Sequence, residues 1–153
     1  MKLTDVLSAE AIVVRSDASA KEDIFRAMIA AMAAAGRVTD ADEVFRVVME
    51  RERMMSTGIG KGFALPHGKT NAVSDTAGAF LTLANPVDFQ ALDNQPVTCV
   101  FMLVGRENNV GTHLRLLSKI SRLMNDENFR NDVNAATAKE EIYRLFEAQE
   151  TDG

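Results

Sequence analysis

Apolar residues in this chain recur at helical spacing in several stretches and crowd into short uninterrupted runs between them. From Ser19 to Ala35, Ile24, Met28 and Met32 fall on one face, with Ser19 placed as a cap and Gly36 as a stop. A second helix is expected over Asp40 to Met55, opened by the acidic residues Asp40, Asp42 and Glu43, which suit the positive end of a helix dipole. Its wheel sets Arg51 in the inward stripe with Val44, Val48 and Met55, and Arg53 on the opposite side. A third helix is expected over Thr112 to Asn125, capped by Thr112, with Leu116, Leu117, Ile120, Leu123 and Met124 as its apolar face. Shorter amphipathic helices follow over residues 128–135 and 139–147. Ala11 to Arg15, Gly62 to Leu65, Ala77 to Leu83 and Val97 to Val104 read as strands, with Asn85-Pro86 and Asp93-Asn94-Gln95-Pro96 as turns between them. Helices at both ends and strands clustered between them predict an α/β fold, a single-domain α/β sandwich whose mixed sheet is flanked by helices. The domain is expected over residues 1–149, with 150–153 a loose tail.

Composition narrows the function classes. The chain has 153 residues, one domain's worth, and a chain of about 150 residues buries roughly 68–70% of its unfolded surface without help from disulfides or metals. A net charge of −5, with no run of Lys or Arg, argues against nucleic-acid binding and for a discrete protein partner. Cys99, the only cysteine, sits in the apolar run at 97–104 and reads as a small core filler. The first residues lack the apolar stretch of a signal peptide, and the alanine-rich segment Ala27 to Ala35 is too short to span a bilayer. A cytoplasmic protein without direct membrane insertion is expected.

The candidate chemistry gathers on two histidines and one arginine. His67 lies in Ser56-Thr57-Gly58-Ile59-Gly60-Lys61-Gly62-Phe63-Ala64-Leu65-Pro66-His67-Gly68-Lys69, on what reads as a glycine-bounded turn behind a short strand. Glycines at 58, 60, 62 and 68 permit positive φ or close approach, and Pro66 stiffens the stem. An imidazole so placed can act as a general base, a metal ligand or a nucleophile toward phosphorus. Two nucleotide-binding readings fail on spacing. Gly68-Lys69-Thr70 would need glycine at position 63 to end a P-loop, and Gly58, Gly60 and Gly62 miss Gly-x-Gly-x-x-Gly by one position. His113 falls on the apolar face of its helix, in the first turn, where free N–H groups favour an anion. Standing alone, such a residue is by default a core histidine. An inward Arg51 needs an anionic partner, because an unpaired buried guanidinium costs about 3–5 kcal/mol.

Taken together, Arg51-Glu52, Ser56-Thr57-Gly58-Ile59-Gly60, Gly62-Phe63-Ala64-Leu65-Pro66-His67-Gly68 and Gly111-Thr112-His113-Leu114 resemble the enzyme IIA domain of the fructose/mannitol/nitrogen type, from the bacterial phosphoenolpyruvate-dependent phosphotransferase system. The resemblance covers nearly the whole chain. It implies a phosphotransferase without a cofactor, whose His67 receives a phosphoryl group from the phosphocarrier HPr or a nitrogen-branch HPr-like protein, through Nε2. It also implies that His113 and Arg51 help hold the phosphorylated site. Thr57, Gly58, Gly68 and Thr112 stand beside them as phosphoryl-binding or turn-supporting residues, and Ser56 and Thr57 can equally act as caps and turn formers. Phe63 is bulkier than the residue usual in the family, and the loop Gly105 to Val110 lacks an expected proline and acidic residues, which bears on the partner that docks there.

Three functional readings follow. A regulator of the nitrogen type is favoured, because the chain ends soon after its final helix and His67-Gly68-Lys69 resembles that version of the motif. The alternative is a fructose/mannitol-type transport IIA that passes phosphate to enzyme IIB. A two-histidine metal site is weakest, since zinc wants three or four ligands and Cys99 is set in a strand.

Overall fold

Leu3, Val6 and Leu7 are spaced one helical turn apart and are all buried, so the N-terminal segment folds as a four-residue helix α1 (Leu3–Val6) against the last helix of the chain. The computed structural model describes residues 2–150. A turn of 3-10 helix leads into β1 (Ile12–Ser16). Then come α2 (Lys21–Ala34) and α3 (Ala41–Met54). Ala20, not Ser19, holds the cap position of α2, without a side-chain bond. At the other end Gly36 takes φ 79°, and the Arg37 N–H reaches back to the Met32 carbonyl, closing the helix as the sequence predicts. Asp40 caps α3 through its side chain, which accepts the Glu43 N–H at 3.2 Å.

Among the described residues six strands make one mixed sheet. After β1 these are β2 (Gly58–Gly60), β3 (Phe63–Ala64), β4 (His67–Lys69), β5 (Ala77–Val87) and β6 (Val97–Gly105). Their order is β1-β5-β6-β3-β2, with β4 also paired to β6. β1 runs parallel to β5, β5 antiparallel to β6, and both β3 and β4 parallel to β6. Every residue of β6 except Thr98 is buried, which requires cover on both faces. α2 packs on α3, β1 and β5, and α3 on β4. α4 (Val110–Met124) covers β6 and is followed by α5 (Glu127–Ala135) and α6 (Lys139–Gln149), each packed on the one before. Phe80, Phe101 and Phe129 meet Phe146 edge-on, with centroids 5.1–5.7 Å apart, and tie α5 and α6 to the sheet.

Three local expectations are corrected. Asn85-Pro86 does not end its strand: residues 84–86 are exposed, the register with β6 shifts between Thr82 and Val87, and pairing resumes at Val87 opposite Val97. The single strand expected over 62–65 is instead part of a longer track. β3 and β4 run consecutively along the same edge of β6, interrupted at Leu65-Pro66 because proline has no N–H to give to a ladder. Glu150, assigned to the tail, is buried and accepts the Thr4 N–H at 2.9 Å, while residues 151–153 lie outside the described residues.

Candidate functional site

Because the chain rejoins β6 immediately after Pro66, His67 is not on a turn. It is the first residue of β4, half-buried, opposite Leu103. The Leu103 N–H donates to the Pro66 carbonyl at 3.1 Å and fixes the stem of the ring. Gly68 packs against α3, where a Cβ would come within 2.8 Å of Val47 Cγ1. Its requirement is close packing rather than an unusual φ.

His67 Nδ1 lies 2.8 Å from the carbonyl oxygen of Leu65. A carbonyl can only accept, so Nδ1 carries the proton and Nε2 keeps its lone pair. Burial, and secondarily the positive field of Arg51, hold the imidazole below the ordinary histidine value, against the opposing pull of the Leu65 carbonyl and Glu52. The ring is therefore neutral at neutral pH.

His113 faces it, with ring centroids 6.0 Å apart and planes at 52°. His113 is 4% exposed, and its Nδ1 has no hydrogen-bond partner among the described residues. That atom lies against Gly105, where a Cβ would come within 2.9 Å of it. Burial, then the nearby His67 and Lys69, push its pKa down to about 4. The helix carrying it starts two residues earlier than the sequence suggests. Asn109 occupies the cap position, so Thr112 is the third helical residue and its Oγ1 accepts from Arg115 at 3.4 Å. The His113 N–H is taken by the Asn109 carbonyl at 3.0 Å and is no longer a candidate donor to a ligand. The first-turn N–H groups of Val110, Gly111 and Thr112 are the ones without an intrahelical acceptor.

Arg51 lies at the margin of the site rather than inside. It is partly exposed, donates to the Met55 carbonyl at 2.9 Å, and lines a cleft of about 290 Å³ together with His67, Ser56, Ile59, Leu92 and Ser121. Among the described residues no carboxylate pairs with it. The residue that continues the Val44–Val48 stripe is Glu52, four positions on and 6% exposed, while Met55 caps the helix and is 62% exposed. The spacing 44, 48, 52 carried this signal, although a carboxylate in an apolar stripe is easily assigned to the adjoining charged face. Ser56 and Thr57 have structural partners: Ser56 Oγ donates to Phe89 O at 2.5 Å, and the Thr57 hydroxyl donates to Glu52. Gly58 is required by contact, since a Cβ there would meet Ala91 Cβ at 2.8 Å. Cys99 is buried, with its thiol pushed up to about 12 by desolvation, as befits a core filler. Among the described residues no helix is long and apolar enough to cross a membrane.

Residues 5–149 match the family model described as "Phosphoenolpyruvate-dependent sugar phosphotransferase system, EIIA 2". The chain belongs to this EIIA family. It is similar to a nitrogen regulatory protein of Bradyrhizobium diazoefficiens, 34% identical over 148 residues that cover 95% of both chains. It is also similar to the fructose-specific EIIABC component of Bacillus subtilis, 34% identical over 146 residues; the chain spans only 23% of that larger protein. The crystal structure of nitrogen regulatory protein IIA-Ntr from Neisseria meningitidis superposes with a TM-score of 0.87 at 29% identity, covering 94% of this chain and 98% of that one. The mannitol IIA of Escherichia coli shares the fold, with a TM-score of 0.77 at 23% identity, covering 91% and 97%.

Proposed function

We propose that this EIIA domain is a histidine phosphocarrier that takes a phosphoryl group onto Nε2 of His67 from HPr or an HPr-like protein, and that it serves as a regulator. One observation carries the reading: the His67 Nδ1–H bond to Leu65 leaves Nε2 as the free lone pair on a neutral ring facing His113. In the transfer, that lone pair forms the new N–P bond as the N–P bond of the donor phosphohistidine breaks, and the donor ring leaves with the electron pair. Neither ring gains or loses a proton. The positive charge that develops on His67 is met by the Leu65 carbonyl, and the equatorial oxygens by Arg51, His113 and the first-turn N–H groups of α4. Such charge-assisted bonds contribute about 1.5–3 kcal/mol each, so two or three suffice.

A protein donor is supported by the surface around the cleft. The exposed large apolar residues Met54, Met55, Ile59, Leu92, Val110 and Leu114 lie on the end of α3, on β2, on the loop before β6 and on the start of α4, the segments that carry or border the site. Apolar side chains gathered around a polar centre mark a docking face. The loop Gly105 to Val110 leads directly into it. The regulatory role is favoured by the likeness to nitrogen regulatory proteins. The fructose-specific relative supports the second reading, transfer onward to an enzyme IIB. Incubating phosphorylated protein with candidate IIB domains, and capturing partners on wild type and His67→Ala, separates them. State-specific partners without onward transfer support regulation, and rapid transfer to a IIB domain establishes the transport role.

A further inference from the structure

Glu52 is a buried carboxylate in the apolar stripe of α3, and such a charge persists only with full compensation. It receives three hydrogen bonds. Lys21 Nζ, from the first residue of α2, donates to Oε2 at 2.9 Å, the Thr57 N–H donates to the same oxygen at 3.0 Å, and the Thr57 hydroxyl donates to Oε1. The chain of bonds continues past Thr57. The Thr57 carbonyl accepts the Leu65 N–H at 2.9 Å, and the Leu65 carbonyl accepts Nδ1–H of His67 at 2.8 Å. Lys21, Glu52, Thr57, Leu65 and His67 thus form one continuous series from the start of α2 to the nucleophile.

We propose that Glu52 is a positioning residue: by fixing Thr57, and through it the Leu65 peptide, it holds His67 in the Nδ1–H tautomer that leaves Nε2 free to react. The proposal rests on His67 as phosphoryl acceptor but can fail separately from it. Three features favour positioning over core stabilisation alone. Two of the three bonds that the carboxylate receives come from residue 57, whose carbonyl in turn accepts the N–H of Leu65, the residue bonded to the histidine. Leu65 is restrained from both sides, its N–H tied to the Thr57 carbonyl and its conformation biased toward extended by Pro66, which holds its carbonyl toward the ring. And a ring nitrogen's protonation is set by the bond the other nitrogen's partner offers, so displacement of the Leu65 carbonyl frees the proton to move to Nε2.

The test compares wild type, Glu52→Gln, Thr57→Val and Thr57→Ser, each first checked for folding by circular dichroism. Imidazole ¹⁵N chemical shifts report the His67 tautomer in the resting protein, and phosphoryl uptake is measured from phosphorylated HPr and from the small donor phosphoramidate. Glu52→Gln and Thr57→Val are expected to raise the Nε2–H population. Both should lower kcat with either donor by about tenfold, the low end of what outer partners of a functional histidine contribute, with KM for HPr unchanged. Thr57→Ser, which keeps the hydroxyl, should restore the wild-type tautomer ratio and rate. Folded Glu52→Gln or Thr57→Val with an unaltered tautomer and kcat would overturn the proposal. If both fail to fold, Lys21→Gln decides in the same way, since it loosens Glu52 from the far end. Wild type that takes up no phosphoryl group refutes the acceptor role of His67, while the tautomer measurement still decides the role of Glu52.

Discussion

His113 makes the stability of the fold depend on pH in a way that a single substitution isolates. The ring is 4% exposed with its Nδ1 unpartnered among the described residues, and the charges facing it, from His67 and Lys69, are cationic or potentially so. Its pKa falls from 6.5 in the unfolded chain to about 4 in the native protein. The unfolded state therefore binds more protons throughout that window, and stability falls as pH falls. Integrated over one such group, the loss relative to pH 8 is about 2 kcal/mol at pH 5 and about 3 kcal/mol at pH 4, where it begins to level off. Equilibrium unfolding in urea from pH 4 to pH 8, on wild type and His113→Gln, gives the difference directly. Gln can shift the whole curve through its own burial, so the slope and not the offset is the readout. Wild type should decline more steeply below pH 6.5, and the two curves should run parallel above it. Parallel curves over the entire range would show that His113 protonates as readily in the folded protein as in the unfolded one, and would remove it as a poised neutral partner of His67.

Arg51→Lys should fold normally and lose phosphoryl uptake or phosphohistidine lifetime, because a point charge cannot grip two oxygens as a planar fork does. Arg53→Lys, altered at an exposed position, should match wild type, and equal behaviour of the two variants would refute the placement of Arg51 in the site. Gly105→Ala drives a methyl to 2.9 Å from His113 Nδ1 and should cost about 1–3 kcal/mol while shortening phosphohistidine lifetime. Gly111→Ala meets only the flexible end of Arg115 at 3.4 Å and should be neutral or stabilising by up to about 1 kcal/mol, both read from thermal unfolding and acid-labile label decay.

The frame of the molecule was legible because its signals are local and redundant. The acidic cluster at Asp40 marks the start of α3, Ile24, Met28 and Met32 of α2 and Leu116, Ile120 and Met124 of α4 are buried as their helical spacing predicts, and the run at 97–104 is the central strand β6. What escaped depends on partners distant in sequence. Whether residues 67–69 form a turn or a strand is decided by the free edge of β6, and whether Asn85-Pro86 ends a strand is decided by Val87 finding Val97. Four residues are too few for the spacing of Leu3, Val6 and Leu7 to declare a helix, although that is how they fold. Within the site, the pairing of His67 with His113 followed from the motif, whereas Arg51 and Glu52 exchanged places. The wheel gives a face, but only Lys21 and Thr57, 31 and 5 residues away, make a buried carboxylate affordable. The choice between ring nitrogens was likewise unreadable, because it rests on the Leu65 carbonyl and not on residue type.

The phosphorylated atom itself is the most direct test of the phosphocarrier reading. Protein labelled with ¹⁵N in its histidine rings, charged by phosphoenolpyruvate, enzyme I and HPr, is examined by ³¹P–¹⁵N correlation, with His67→Ala as the control. The expected result is one acid-labile phosphoryl group per chain, bonded to Nε2 of His67, and none on His67→Ala. Phosphorus on Nδ1, on His113, or in stoichiometric amount on His67→Ala would contradict it.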